Sequence, residues 1–210
     1  LATNVPSLFR DCVDDAADVA LSLAESEDWM PETRLAALEL LVSLASFGGA
    51  VARRSSVLAE RAVPAAVGLF AGVVDDDENT EEALLEWGRA RNDEHSLTME
   101  PSDDDPLEDG GITALSRLSH ALGGASVMDR LVPLLGELVE DDRWERRRAA
   151  AIALTAIGAG ARKEILREVR GVSESVWRPL LRDAHPRVRN VTAASIAQVA
   201  EVLLPSRTDK

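Results

Sequence analysis

Apolar residues recur at helical spacing along most of this chain. From Pro6 to about Ala24 the set Phe9, Cys12, Val13, Ala16, Ala20 and Leu23 lines one side of a helix, while Asp11, Asp14, Asp15 and Asp18 fall on another. Glu25 to Glu32 reads as a turn. A helix from Thr33 to about Phe47 is closed by Gly48-Gly49, and its hairpin partner runs from about Ser56 to Val74. The pattern then fails from Asp75 to Gly110, where acidic runs stand at both ends of a segment with a short island, Glu81 to Trp87, that predicts one or two helical turns. Helical spacing resumes over Ile112 to Leu122 and stops at Gly123-Gly124. Ser126, with Asp129 three residues on, predicts the cap of a helix reaching Glu140. Three more helices follow over 143–157, 162–182 and 186–203, the last stopped before Pro205.

Part of this pattern is a repeat. Asp141 to Ile157 realigns 42 residues on with Asp183 to Val199: an Asp opens each turn, an Arg follows six residues later (Arg147, Arg189), and small or apolar residues match at Ala149/Val191, Ala151/Ala193, Leu154/Ile196 and Ile157/Val199. A third copy begins at Asp28 and continues from Arg34 to Leu44, 113 residues before Asp141. Because 113 is not a multiple of 42, an insertion separates them. A period of about 40 to 47 residues belongs to HEAT and armadillo units, in which antiparallel helix pairs stack in a row. The prediction is an all-α fold, an α-solenoid of about four repeats, spanning 1–210 as a single solenoid fragment with an acidic insertion loop over 75–110. Val5-Pro6, Val63-Pro64 and Val132-Pro133 each fall in the second-type helix of a pair.

Composition agrees with helix. The chain is 46% hydrophobic, yet only 3% aromatic and without Tyr; Ala, Leu, Val and Arg dominate. The longest apolar run, Ala62 to Val74, is 13 residues, short of the roughly 20 that a membrane span needs. The chain opens at Leu1 with no charged-then-apolar leader and reads as a piece of a longer protein. Its one cysteine, Cys12, reads as core filler beside Phe9 and Val13. Net charge is −14, and Asp75 to Asp109 holds fifteen acids against two arginines. Such a balance argues against nucleic acid as a partner and for a basic one.

The stretch from Asp142-Arg-Trp-Glu-Arg-Arg-Arg to Gly158, followed by Leu181-Arg-Asp-Ala-His-Pro-Arg-Val-Arg189, carries a resemblance. So does the acidic stretch around Trp87 that precedes Leu115-Ser-Arg-Leu118 and Gly123-Gly124. Together they resemble the middle HEAT repeats of importin-beta-type nuclear transport receptors, the karyopherin-beta superfamily, nearest the branch called importin five or karyopherin beta three. That resemblance implies a monomeric import receptor that shuttles between cytoplasm and nucleus through the nuclear pore. It implies three partners: basic localisation signals of cargo proteins on an acidic inner surface, FG-repeat nucleoporins between outer helices, and Ran-GTP, which releases cargo. The alternative is a generic HEAT-repeat scaffold for protein-complex assembly, of the phosphatase-regulatory or chromosome-associated type.

Candidate binding residues follow from charge and placement. The face Asp11, Asp14, Asp15 and Asp18 can meet Lys or Arg side chains, or be merely solvated. In the insertion, Asp75, Asp76, Asp77, Glu78, Glu81, Glu82, Glu86, Asp103, Asp104 and Asp105 can embrace a basic partner or hold Ran, or keep a loop soluble. Trp87 either anchors the insertion or stacks on a cationic stem. The spaced ligands and central Gly of an EF-hand are missing, so Asp75 to Asp77 do not read as a calcium site. Arg147 and Arg189 are expected to form a repeat-locking ladder with Asp141 and Asp183. Trp144 and Trp177 read as inter-repeat packing. Ile152, Ile157, Ile196 and Val199 read as core, or as walls of grooves that take a Phe side chain. His95, His120 and His185 have no second His or Cys at ligand spacing, and neither a phosphate loop nor a nucleophile elbow occurs. The expectation is a binding protein with no catalytic residues, cofactor or metal.

Overall fold

The structure, a computed structural model, describes residues 12–47, 55–73, 80–94 and 105–204. Its elements are α1 (Val13–Glu25), α2 (Pro31–Phe47), α3 (Ser56–Ala71), α4 (Glu81–Glu94), α5 (Pro106–Leu122), α6 (Gly124–Val139), α7 (Trp144–Ile157) and α8 (Arg162–Val172). A π turn over Ser173–Trp177 joins α8 to the short α9 (Arg178–Leu180), and α10 (Pro186–Leu203) ends the row. Two layers form. Helices α2, α5, α7 and α10 pack side by side in one, and α1, α3, α6 and the α8–α9 rod in the other. The all-α solenoid predicted from the period is the observed architecture, with α1 and α10 as single helices at either end.

Local chemistry explains where the helices start and stop. The hydroxyl of Ser55 accepts from Leu58 N–H and opens α3. Asp105 does the same for α5, accepting from Leu107 and Glu108, with Pro106 in the first turn. That helix therefore begins six residues before the predicted Ile112, and the insertion 75–110 yields its last residues to α5. Its paired glycines are no break but a packing requirement: a Cβ on Gly111 would lie 2.9 Å from Ala66 O, so only glycine lets α3 and α5 approach this closely. Gly123, at φ +88°, makes the sharp passage from α5 to α6. Helix α6 consequently starts at Gly124, and Ser126 lies inside it instead of capping it. The island predicted as one or two turns is the 14-residue α4, because Thr80 Oγ1 accepts from Ala83 N–H and caps it.

Three of the second-layer rods, α3, α6 and α8–α9, carry a proline, at Pro64, Pro133 and Pro179. Proline removes a main-chain donor. In the last rod the break widens into the π turn, where Arg178 N–H bonds Ser173 O.

The core runs unbroken from α1 to α10. Helix α7 sits deepest, with Ala149 to Leu154 each at most 1% exposed. Six consecutive buried positions leave no solvent face, and the alanines among them let flanking helices come close. Cys12, expected in the core, is exposed at the turn before α1. Trp144 and Trp177 are buried, at 7% and 6% exposure.

Arginine–carboxylate pairs bridge successive helices within each layer. Arg61 reaches Asp18 and Glu25, Arg117 reaches Glu39, and Arg148 reaches Glu108. These differ in burial. Glu108 lies in the first turns of α5 with its side chain 3% exposed, and it takes both Arg148 terminal nitrogens at 2.6 and 2.9 Å. Counted by sequence as one more acid of the insertion, Glu108 is instead a buried tie between repeats.

Removing one partner of a buried ion pair strands the other, at a cost of about 3–5 kcal/mol, whereas an exposed pair is worth about 0–1 kcal/mol. Urea denaturation is expected to show Glu108→Ala losing several times more stability than Glu39→Ala. Equal losses would refute the structural role of Glu108.

Candidate functional site

The acidic face of α1 follows from its spacing: Val13, Ala17, Ala20, Leu21 and Ala24 turn inward, which leaves Asp14, Asp15 and Asp18 exposed. Asp11 lies outside the described residues. Two of the three carboxylates meet α3. Ser55 donates its hydroxyl to Asp14, and the Arg61 fork holds Asp18 at 3.0 Å and Glu25 at 2.7 Å. Glu60 on α3 stands 4.0 Å from Arg130 on α6. Among the described residues, Arg61 thus answers two carboxylates of α1, and Asp15 faces solvent beside them.

In the insertion, Asp75, Asp76, Asp77, Glu78, Asp103 and Asp104 lie outside the described residues. Glu81 opens α4, while Glu82 and Glu86 are exposed on it. Asp105 is committed to capping α5. Trp87 is half-buried and meets a cation of its own chain: Arg187 Cζ lies over its ring at 5.5 Å, and over the Trp144 ring at 5.8 Å. Trp144 also stacks on His185, centroids 4.0 Å apart and planes 15° from parallel. Arg187 and His185 were not singled out as site residues by the sequence. Their only signal was the Asp-Ala-His-Pro-Arg turn, which says nothing of a tryptophan arriving from the insertion.

The turn residues are held by a repeated device. Arg147 Nη1 donates to the carbonyls of Asp141 and Asp142, closing its own turn. Its Nε and Nη2 reach forward to the Asp183 carboxylate at 2.6 and 3.0 Å. Arg189 Nη1 closes the next turn in the same way on the carbonyls of Asp183 and Ala184. The Asp141 carboxylate is taken by Arg146, at 2.6 Å, and not by Arg147. Hydrogen bonding to Asp183 raises the Arg147 pKa against the opposing effect of burial. Burial works against the Asp183 carboxylate, but Arg147 and the His185 N–H outweigh it and hold its pKa below the usual range. Burial also lowers the His185 pKa, with Asp183 and Glu145 pulling it up and Arg147 and Arg189 pushing it down.

Ile152, Ile157 and Val199 are buried in the core, and Ile196 is partly buried against it. Two grooves open on the first layer. One of about 620 Å³ lies between α2 and α5, lined by Leu35, Leu38, Glu39, Asp109 and Ala114 among others. A second, of about 370 Å³, lies where α5, α7 and α10 meet, at Ile112, Arg117, Thr155 and Gln198. Among the described residues, no group of three or more His, Cys, Asp or Glu is placed to hold a metal. No described helix is long and apolar enough to cross a membrane.

No family model matches the chain. Solved structures of the karyopherin Kap121p do match in backbone. The complex with the extreme C-terminus of the phosphatase Cdc14p shares 24% identity at a TM-score of 0.83, covering 98% of this chain and 19% of the other. The complex with RanGTP shares 24% at 0.81, covering 100% and 20%. The complex with Pho4p shares 23% at 0.83, covering 100% and 20%. This chain therefore spans about a fifth of the length of the proteins it resembles, and over that span it has their solenoid fold.

The depressed His185 and Asp183 pKa values imply a pH dependence of stability. An imidazole whose folded pKa lies below its unfolded value of about 6.5 binds more protons when unfolded, so stability falls as pH drops through that value. Asp183 has the usual carboxylate sign: its contribution persists above about 3.9 and is lost only below. Thermal melting midpoints are expected to hold steady from pH 8 to 7 and decline towards pH 5. His185→Gln should flatten that decline, and a midpoint rising on acidification would contradict the assignment.

Proposed function

We propose that this chain is a stretch of a nuclear transport receptor of the importin-beta type, which binds basic localisation signals of cargo proteins and is regulated by Ran-GTP. The observation that carries this reading is the backbone agreement with Kap121p along the whole chain, at a TM-score of 0.83. Kap121p has been solved with RanGTP, with Pho4p and with Nup53p, and the proposal extends those classes of partner to this protein. Its charge suits the first class. A net −14, with Asp15, Glu82 and Glu86 facing solvent, attracts Lys and Arg side chains over about a Debye length, and many weak attractions add along one extended peptide.

The mechanism is reversible binding without chemistry. Stacked repeats touch only their neighbours, so small rotations between them sum into a change of superhelix pitch. Cargo and Ran-GTP then oppose each other through shape as well as through overlap. The groove between α2 and α5, with Leu35, Leu38 and Ala114 in its lining, has room for the Phe side chain of an FG repeat. Shuttling between cytoplasm and nucleus goes with this activity. The competing reading is a HEAT scaffold in which the acidic surface is decoration.

Binding of the intact protein to a lysine-rich peptide and to GTP-locked Ran separates the two. Peptide affinity is expected to weaken as salt rises, and Ran-GTP to displace the peptide. The double variant Glu82→Gln/Glu86→Gln should flatten the salt dependence. Absence of both interactions at low salt would leave the scaffold reading standing.

A further inference from the structure

The contact between α4 and the α7–α10 junction plays no part in stacking the repeats. Helix α4 belongs to neither layer, yet Trp87 reaches Arg187 at the start of α10, and Arg187 is shared with Trp144. Both rings lie within the roughly 6 Å over which a guanidinium is attracted to an indole face. The junction is built from π surfaces, with His185 stacked on Trp144 and the ring nitrogens of both left buried without hydrogen-bond partners. An acid adjoins each indole in the chain: Glu86 before Trp87, and Glu145 after Trp144. Two aromatic faces converging on one cation make a receptor for a planar guanidinium. A compact ammonium would lie less well there, because it lacks the flat surface that stacks on indole.

We propose that Trp87 and Trp144 form a slot for a guanidinium group, closed in this state by the chain's own Arg187, and that an arginine of a basic partner displaces Arg187 from it. The proposal deepens the transport reading and rests on it: the basic partner is the cargo segment, and the slot selects arginine over lysine at one position. Arg187 acts as an internal competitor. The apparent affinity for an arginine peptide is reduced by the fraction of molecules in which Arg187 fills the slot, and emptying the slot removes that reduction.

The test uses the intact protein and two fluorescent peptides of equal length and charge, one arginine-rich and one lysine-rich. Arg187→Ala is expected to tighten binding of the arginine peptide by about 3- to 10-fold, with less than about twofold change for the lysine peptide. Trp87→Ala, alone or combined with Arg187→Ala, should weaken arginine-peptide binding by a similar factor. Because Trp87 stands outside both layers, that variant should keep the parent's helix content and melt within about 2–8 °C of it, so a folding defect cannot imitate the loss. Binding that ignores all three variants, or an equal gain for both peptides, overturns the slot while leaving the transport reading intact. No binding of either peptide by any variant at low salt overturns both.

Discussion

Arg147 and Arg148 stand side by side on α7 and reach opposite ways along the row. Arg147 goes forward to Asp183 in the turn before α10, and Arg148 goes back to Glu108 in the first turns of α5. Successive residues on a helix point about 100° apart, so adjacent arginines can serve neighbours on either side. Both pairs are well shielded, with carboxylate side chains only 6% and 3% exposed. A buried carboxylate is tolerated only when its oxygens are satisfied. The bidentate fork provides that, and it also sets how far each flanking helix slides along α7.

The rest of the stack depends on that register. With Ala149 to Leu154 wholly buried, α7 has no outer face, and the small side chains bring α10 near enough for a direct polar relay. Thr155 donates to the Ser195 hydroxyl, which donates to Ala151 O. Such a relay forms only if α10 is placed to within a few tenths of an ångström, and a slip of one residue would part the buried Ser195 hydroxyl from Ala151 O. At the far end of the same pair, Arg162 closes on the carbonyls of Val202 and Leu203, so α10 is held near both its ends. Apolar burial drives the helices together, and the polar contacts choose one arrangement among those burial would allow.

What the sequence discloses follows the same division. The 42-residue unit was legible because the Asp, the Arg and the small apolar positions of a first-layer helix recur in order, and α7 and α10 follow that pattern closely. Glu108 was not legible. In a count of charges it joins Asp103 to Asp109 as one acidic run, and only the fold reveals that α5 turns it inward to Arg148. The start of α5 at Pro106 was not legible for a related reason: the demand for small residues at Gly110 and Gly111 comes from the approach of α3 and of Leu35, which are distant in sequence. Cys12 was assigned to the core from its apolar neighbours, but the turn before α1 exposes it. Among the candidate site residues, exposure could be read from helix periodicity at Asp14, Asp15 and Asp18. Their engagement with Ser55 and Arg61 could not, because those partners are some 40 residues away.

The same distinction bears on what α4 does in the row. It leaves the stack after α3, returns at α5, and touches down through Trp87 on Arg187, beyond α7. Two paths therefore connect the α3–α5 region to the start of α10: one through the packed faces of α5 and α7, the other through α4. The first is stiff, being close-packed and pinned by buried forks. The second includes the cation–π contact of Trp87 with Arg187, a kind of contact worth about 0.5–2 kcal/mol. Rotation between repeats moves α10 relative to α5, so it must either carry α4 along or part Trp87 from Arg187. Since Arg187 lies four residues after Asp183, the weak contact sits beside the clamp that sets the rotation.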